Sequence, residues 1–310
     1  MRPLSLTLEV DGLELPAVFT APDAASSALL LIPGSLNSDA DGNFAPMFPG
    51  QPAMHTWVYK NLAEHLAARG IAVLRFSKSG PGTKAVLRNP ELFKAKYSNF
   101  LQRVTVASAF LDELLRRAPG RTIAIAGHSE GSVVATLLAQ RRPEVQRLVL
   151  LSGPSKPLLQ LMIWQRRVAG EGTEAQFAEA AAWARDYAAD RPLPSDMSAN
   201  PLASMIGFWT QPGNRPYLHS LECVDPCAEL ARVTQPVLIV QGGRDLSVID
   251  ANADLLRQAQ PRAEIARFPE LSHFYKRSPA GLSQQESMAI SEESDPAVAE
   301  AMAAWLRPLQ

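Results

Sequence analysis

The sequence of 310 residues predicts an α/β fold with a mostly parallel central sheet. Short apolar runs of strand length alternate with longer segments whose apolar residues recur at helical spacing. A serine flanked by glycines, in Gly127-His128-Ser129-Glu130-Gly131, directly follows one of these apolar runs, which is typical of a sharp turn from a strand into a helix. Strands and helices that alternate in this way form parallel sheets with helices on both faces.

The first part of the chain predicts a β-hairpin followed by a strand-helix-strand unit. Alternating residues over 4–10 and 13–19 flank Asp11-Gly12, a dipeptide that favours a hairpin turn. The predicted elements that follow are a strand over 28–32, a helix over 57–67 that ends at Gly70, and a strand over 71–76.

The alternation continues to the end of the chain with one interruption. The later predicted elements are helices over about 101–117, 132–140, 251–258 and 297–306, and strands over 122–126, 148–151, 236–240 and 263–268. Residues 153–229 read instead as helical segments broken by prolines, which predicts a helical lid inserted into a core of residues 1–152 and 230–310. The polar tract over 276–295 is predicted to be a mobile loop rather than a buried element.

The composition excludes several classes of function. Hydrophobic residues make up 46% of the chain and the formal net charge is −1, so there is no basic excess to attract nucleic acid. We find no signal peptide and no membrane span, and we expect a cytoplasmic protein. Cys223 and Cys227 are expected to be reduced thiols, because no second Cys or His pair stands at zinc-like spacing. We expect neither a metal nor a cofactor.

Ser129 is the candidate nucleophile. A serine at such a turn has a strained backbone and an outward hydroxyl, and the residues two before and two after it must be small for the turn to close. Gly127 and Gly131 meet this requirement. The helix that follows would direct free N–H groups toward an oxyanion formed at the serine. The alternative is a tight turn in an unrelated α/β protein.

A serine nucleophile needs a histidine to accept its proton and a carboxylate to orient that histidine. Asp245 follows the strand over 236–240 and a glycine turn, and His273 follows the last predicted strand. We therefore predict that Asp245 is the acid and that His273 is the general base. Asp250 is the nearest rival acid, and capping of the following segment is the alternative role for Asp245.

The chain order Ser129, Asp245, His273 is that of an α/β-hydrolase. The sequence resembles this superfamily over about 28–150 and from about 235 onward. The loop Ile32-Pro33-Gly34-Ser35-Leu36-Asn37 and the segment over 75–80 are similar to bacterial serine hydrolases near the serine aminopeptidase and dienelactone hydrolase branches. Dienelactone hydrolases proper use a cysteine nucleophile, so their chemistry does not transfer to Ser129.

The sequence departs from these relatives at two places. Pro33 stands where many relatives have histidine, and Ser77 and Ser79 stand where the subgroup usually has aspartate and arginine. Gly34 is retained.

The resemblance also implies an oxyanion hole. In the superfamily, one donor is the backbone N–H of the residue after the nucleophile, which is Glu130 here, and its side chain is expected to contribute little. The other donor comes from the loop after the third strand, where we predict Ser35, with Leu36 as the alternative. His128 is expected to pack and hydrogen-bond within the turn rather than to take part in catalysis.

The expected function is a metal-independent serine hydrolase that cleaves small-molecule carboxylic esters through an acyl-enzyme. A substrate pocket is predicted from Leu36 and four lid residues, Met162, Trp164, Phe208 and Trp209. Packing within the core of the lid is the alternative role for these lid side chains.

Two further kinds of function stay open. A thioester hydrolase or an aminopeptidase would use the same three residues, and the aminopeptidase would need a lid carboxylate, Glu171, Glu174 or Glu179, to hold the substrate ammonium. A noncatalytic binding protein is the alternative from another class, because a fold does not fix a function.

Overall fold

The computed structural model describes residues 3–44, 46, 53–77, 91 and 98–307. Within these ranges eight strands form a single sheet. They are β1 (Leu4–Val10), β2 (Leu13–Thr20), β3 (Ser27–Ile32), β4 (Ile71–Phe76), β5 (Thr122–His128), β6 (Arg147–Leu151), β7 (Val237–Gly242) and β8 (Glu264–Phe268). The predicted hairpin and each later predicted strand are confirmed, with ends that differ by one or two residues.

The sheet has the strand order β1-β2-β4-β3-β5-β6-β7-β8. β2 pairs antiparallel with both β1 and β4, and all the other neighbouring strands are parallel. The loops that follow β3, β5, β7 and β8 therefore leave the sheet at the same end, which is where ligands bind in open α/β sheets.

The described residues also form eleven helices. They are α1 (Val58–Ala67), α2 (Gln102–Arg117), α3 (Glu130–Arg141), α4 (Leu158–Val168), α5 (Glu174–Ala188), α6 (Ala203–Trp209), α7 (Arg215–Glu222), α8 (Pro226–Leu230), α9 (Ala251–Ala259), α10 (Gln284–Met288) and α11 (Pro296–Leu306).

Each face of the sheet has its own apolar core, because successive strand residues point to opposite faces. Leu30 and Ile32 of β3 belong to the core that contains residues of α2, α3 and α9. Leu29 and Leu31 belong to the core that contains residues of α1 and α11. All six residues of β3 are buried. The predicted arrangement, a parallel sheet covered by helices on both sides, is confirmed.

Helices α4 to α8 lie between β6 and β7 and make up most of the segment that we call the helical insertion, residues 153–229. The last of them, α8, crosses the predicted boundary by one residue. An apolar cluster of its own, which includes Phe177, Trp183 and Tyr187, holds α4 to α7 together.

The tract over 276–295 contains more structure than its polar composition predicts. It includes α10, and Lys276 at its start is completely buried. The ammonium of Lys276 donates to the backbone oxygen of Ile290 at 2.6 Å. Lys276 therefore departs from the expected loop, because a long aliphatic stem can be buried when the charged end finds a carbonyl. The mobility of the tract stays a prediction. Of the two departures after β4, Ser77 is buried, and Ser79 lies outside the described residues.

A buried carboxylate stands at the beginning of α4. Glu222, at the end of α7, is 4% exposed, and its Oε1 accepts the Leu159 N–H at 2.7 Å. Its Oε2 is buried without a hydrogen-bond partner among the described residues. Burial raises the pKa of Glu222 from 4.5 to about 7.

The protein is therefore expected to lose stability as pH rises. The pKa of this carboxyl is about 7 in the folded protein and 4.5 in the unfolded chain. Its contribution to the free energy of unfolding is therefore fully present below pH 4.5 and is lost as pH rises through about 7. The loss amounts to about 3 kcal/mol. Urea unfolding of wild type and of Glu222→Gln at pH 5 and pH 8 measures it, because the amide keeps the acceptor for Leu159 without a charge.

We expect Glu222→Gln to be more stable than wild type at pH 8 and similar at pH 5. The matched control is Glu64→Gln, which removes an exposed carboxylate paired with Lys60 and should leave the pH dependence as in wild type. If the free energy of unfolding depended on pH equally in wild type and in Glu222→Gln, ionisation of Glu222 would not be the cause of the loss.

Candidate active site

The turn between β5 and α3 has the geometry that its sequence predicts. Ser129 has φ 53° and ψ −125°, a backbone conformation that residues other than glycine rarely adopt. A Cβ on Gly127 would lie 2.0 Å from the Gly131 backbone oxygen, and one on Gly131 would lie 2.5 Å from the Pro33 oxygen. Both contacts are with backbone, so only glycine fits at either position.

The loop after β3 lies against the turn that contains Ser129. Ile32 and Gly127 are register partners in the parallel β3-β5 pair, so both strands end side by side. A Cβ on Gly34 would lie 3.1 Å from the Ser129 Cβ. The next residue, Ser35, is exposed, and Leu36 has φ 63° and is 38% exposed. We refer to residues 33–37 as the β3 loop.

Asp245 and His273 meet beyond the ends of β7 and β8. The last residues of these strands, Gly242 and Phe268, are register partners. The Nδ1 of His273 lies 2.7 Å from Oδ2 of Asp245, and the carboxylate is buried. The Oδ1 of Asp245 accepts the N–H groups of Ser247 at 2.8 Å and Val248 at 2.7 Å. The carboxylate thus both caps its own turn and fixes the imidazole.

The rival assignments lie elsewhere. Asp250 forms an ion pair with Arg267 at 3.0 Å on the outside of β8. His55 stacks on Trp57, and His219 lies 3.2 Å from Asp190 in the helical insertion.

His128 packs against the ring of His273, with ring centroids 4.6 Å apart. It is buried and hydrogen-bonded, which confirms the role expected from the sequence.

The Glu130 side chain is engaged, contrary to the expectation that only its backbone matters. It is 7% exposed, and its Oε1 lies 2.9 Å from Arg103 Nη1 of α2. Its Oε2 accepts the phenol of Tyr217 in α7, and the Arg103 guanidinium lies over the Tyr217 ring. Burial raises the pKa of Tyr217 well above its ordinary value, so the phenol stays a donor. Glu130, the residue that follows Ser129, therefore connects the sheet core to the helical insertion.

Arg103 and Tyr217 were not predicted from the sequence. Neither stands in a motif, and Tyr217 lies 87 positions from Glu130 along the chain. The signal in the sequence was Glu130 itself, an acidic residue between a strand and a helix that are both predicted to be buried. A buried carboxylate requires a partner, so a donor from another segment could have been expected.

The predicted pocket residues do not all lie together. Met162, Phe208 and Trp209 line one cavity of about 510 Å³ in the helical insertion. Trp164 lies under the ammonium of Lys156 instead, and Leu36 belongs to the β3 loop. The lining of the cavity includes none of Ser129, Asp245 and His273. A second contact brings the insertion to the site, because Gln165 of α4 donates to the backbone oxygen of Ser247.

Within the described residues, no group of three or more His, Cys, Asp or Glu side chains is placed to hold a metal ion. None of the helices described is long and apolar enough to cross a bilayer. Cys223 and Cys227 are both free thiols, as expected.

Comparisons with known proteins agree on the fold. A family model described as serine aminopeptidase, S33, matches residues 52–201. Esterase EstD of Thermotoga maritima is 24% identical over 264 residues, which are 84% of this chain and 57% of that protein. A pimeloyl-[acyl-carrier protein] methyl ester esterase of Nitrosomonas europaea is 33% identical over 172 residues, 51% of this chain and 66% of that protein. The chain thus spans less than two thirds of the length of these curated relatives.

The solved structure of Est1E from Butyrivibrio proteoclasticus superposes with a TM-score of 0.56 at 17% identity, over 98% of this chain and 99% of that one. A likeness at this identity concerns the fold alone. The mostly parallel eight-stranded sheet, the serine at a strained strand-to-helix turn and these similarities agree with one another. The chain has an α/β-hydrolase fold.

Proposed function

We propose that the protein is a serine hydrolase that cleaves carboxylic esters of small molecules through an acyl-enzyme. The observation that carries this proposal is the 2.7 Å contact between His273 Nδ1 and a buried Asp245 carboxylate, at the end of the sheet where Ser129 occupies the turn. A serine, a histidine and a carboxylate in this chain order are the parts that acyl transfer requires.

In the proposed reaction, Nε2 of His273 accepts the proton of the Ser129 hydroxyl as its oxygen attacks the ester carbonyl. The Asp245 carboxylate holds Nδ1–H and stabilises the imidazolium. The imidazolium then gives its proton to the leaving alcohol, and the acyl group stays on Ser129. A water molecule that loses its proton to His273 releases the acid and restores the serine.

The tetrahedral intermediate carries a negative oxygen that needs preorganised donors. The backbone N–H of Glu130, the first residue of α3, is one proposed donor, and the helix dipole adds to its effect. The N–H of Ser35 is the other, with Leu36 as the alternative. The tight approach of Gly34 to the Ser129 Cβ supports a donor from this loop, because it leaves no room for the loop to move inward.

An ester substrate is favoured by the names of both curated relatives, each of which is an esterase. The cavity lined by Met162, Phe208 and Trp209, whose lining also includes Arg166 and Glu171, is the proposed place for an acyl chain.

We expect a fluorophosphonate probe to add one label to the wild-type protein and none to Ser129→Ala, as read by intact mass. The reason is that only a serine whose proton is accepted by a histidine attacks the phosphorus at a useful rate. A p-nitrophenyl ester series of increasing acyl length then measures the depth of the pocket. Loss of kcat in Ser129→Ala should exceed about 10⁴-fold.

The matched control is Ser132→Ala, which removes a buried hydroxyl from the first turn of α3 and leaves Ser129 and both glycines in place. It should label like wild type. Absence of labelling in a folded wild-type protein would refute the hydrolase mechanism and favour a binding function.

An aminopeptidase is the second candidate, and the serine aminopeptidase family match favours it. Of the three predicted carboxylates, Glu171 lines the cavity, but its Oε2 is paired with Arg166 of α4. Glu174 pairs with Arg167, and Glu179 accepts from Asn200. Hydrolysis of aminoacyl p-nitroanilides that is faster than ester hydrolysis, and that is lost in Glu171→Gln, would favour the aminopeptidase.

A further inference from the structure

A buried chain of hydrogen bonds joins the β3 loop to the backbone of His273. The Gly34 N–H lies 2.8 Å from the phenol oxygen of Tyr59, which belongs to α1. The same oxygen lies 3.1 Å from Nδ1 of His128, and Nε2 of His128 lies 2.9 Å from the backbone oxygen of His273. Tyr59 is 1% exposed and His128 is 2% exposed, so water does not compete for these bonds.

The direction of each bond follows from the chemistry of its partners. A backbone oxygen only accepts, so Nε2 of His128 carries the hydrogen. Burial and the neighbouring His273 lower the pKa of His128 to about 3, so the ring holds a single proton and Nδ1 accepts. Tyr59 therefore donates to Nδ1, and its oxygen accepts the Gly34 N–H. Burial raises the pKa of Tyr59, so the phenol keeps its proton.

The chain of bonds joins the two parts of the site that must stay in register. One end is the loop that lies against Ser129, where the space for a Cβ on Gly34 is already filled. The other end is the residue that supplies the general base. Reversing any bond would leave a buried donor or acceptor without a partner, at a cost that exceeds the worth of an ordinary hydrogen bond.

A neutral His128 matters for a second reason. Its ring lies 4.6 Å from that of His273, which becomes an imidazolium in the proposed reaction. A second cation at this distance would oppose the proton transfer. A neutral ring that still donates a hydrogen bond holds the His273 backbone without that cost.

We propose that Tyr59 and His128 are positioning residues that hold the oxyanion donor of the β3 loop in register with the general base His273. This inference rests on the proposed hydrolase function. Neither Tyr59 nor His128 takes part in a proton transfer or a covalent step. Both act by fixing the positions of the reacting groups.

The first test is Tyr59→Phe, assayed with a p-nitrophenyl ester that wild type hydrolyses. We expect kcat to fall about 10- to 100-fold, because small displacements of an oriented group have effects of this size. KM should change by less than about threefold, because the lost interaction concerns the transition state. Rates are normalised to the sites titrated by fluorophosphonate, so that an unfolded fraction does not count as lost catalysis.

Tyr275→Phe is the matched control. It removes another buried phenol from the same core as Tyr59, one that donates to the Val240 backbone oxygen. Its kcat should stay within about twofold of wild type. Equal losses in both variants would mean that the Tyr59 effect is general loosening of the core, and the inference would be overturned.

A second test separates the two residues. In His128→Phe the phenol of Tyr59 keeps its Gly34 contact but has lost the bond to the His128 ring. Adding Tyr59→Phe should therefore lower kcat by a smaller factor than it does in wild type, whereas independent effects would multiply. His128→Gln, whose amide can still donate toward the His273 backbone oxygen, should keep more activity than His128→Phe. Multiplicative losses, or equal loss in the two His128 variants, would contradict the proposed chain.

A third measurement does not depend on turnover. Imidazole ¹⁵N shifts should report His128 as the Nε2–H tautomer with no titration between pH 5 and pH 9, and Tyr59→Phe should shift its Nδ1 signal. An inactive wild type with these shifts would refute the hydrolase function and leave the hydrogen-bond chain standing. An active wild type whose kcat is unchanged in Tyr59→Phe would refute the positioning role alone.

Discussion

Asp245→Asn is expected to lower kcat by about 10³- to 10⁴-fold while the protein stays folded. The Oδ1 position is held by two backbone donors, Ser247 and Val248, so the amide oxygen takes that place. The amide NH₂ then faces Nδ1 of His273 and forces the hydrogen onto Nε2. In this tautomer Nε2 cannot accept the Ser129 proton.

Steady-state kinetics on an ester substrate measure this effect, and thermal unfolding checks the fold. Asp250→Asn is the matched control, because that carboxylate pairs with Arg267 away from His273, and its kcat should stay within about twofold of wild type. A loss below about tenfold in Asp245→Asn would remove Asp245 from the catalytic machinery.

Gly127→Ala is expected to destabilise the protein by at least about 3 kcal/mol. The added Cβ would lie 2.0 Å from the Gly131 oxygen, 2.4 Å from the Gly131 carbonyl carbon and 2.6 Å from the Ser132 Cα. These atoms are all backbone at the start of α3, so no side chain can rotate away. The turn must open instead, and Ser129 would lose its position.

Urea unfolding of the variant and of Gly207→Ala tests this expectation. Gly207 lies in α6, where a Cβ meets nothing within 4 Å, so alanine should be neutral or stabilise by about 0.5–1 kcal/mol. A destabilisation under about 1 kcal/mol in Gly127→Ala would show that the turn accommodates a side chain.

The sequence predicts the sheet and the places where Ser129, Asp245 and His273 stand because both depend on local signals. Buried parallel strands such as β3 and β7 are continuous apolar runs, and the polar residues that follow them stand out. The glycines around Ser129 are required by contacts within the turn and with the neighbouring loop, so the motif carries its own geometry.

The rest depends on contacts between distant segments. Tyr59 looks like one more apolar residue of an amphipathic helix, and its partner His128 lies 69 positions away. In the sequence, Lys276 is indistinguishable from a surface lysine, because the backbone oxygen of Ile290 that accepts its ammonium lies in another part of the tract. The sequence analysis placed Trp164 in one pocket with Phe208, whereas Trp164 does not line that cavity, because proline breaks in the insertion hide the relative rotation of α4 and α6.

The bond between Glu130 and Tyr217 limits how the helical insertion can be exchanged with that of another protein of the same fold. A graft that replaces α7 and leaves Glu130 in place would remove the Tyr217 phenol from a buried carboxylate and its Arg103 partner, next to Ser129. We therefore expect an exchange of the insertion to succeed only when Glu130, Arg103 and Tyr217 are replaced together. Each of the three residues depends on the other two, although they lie far apart along the chain.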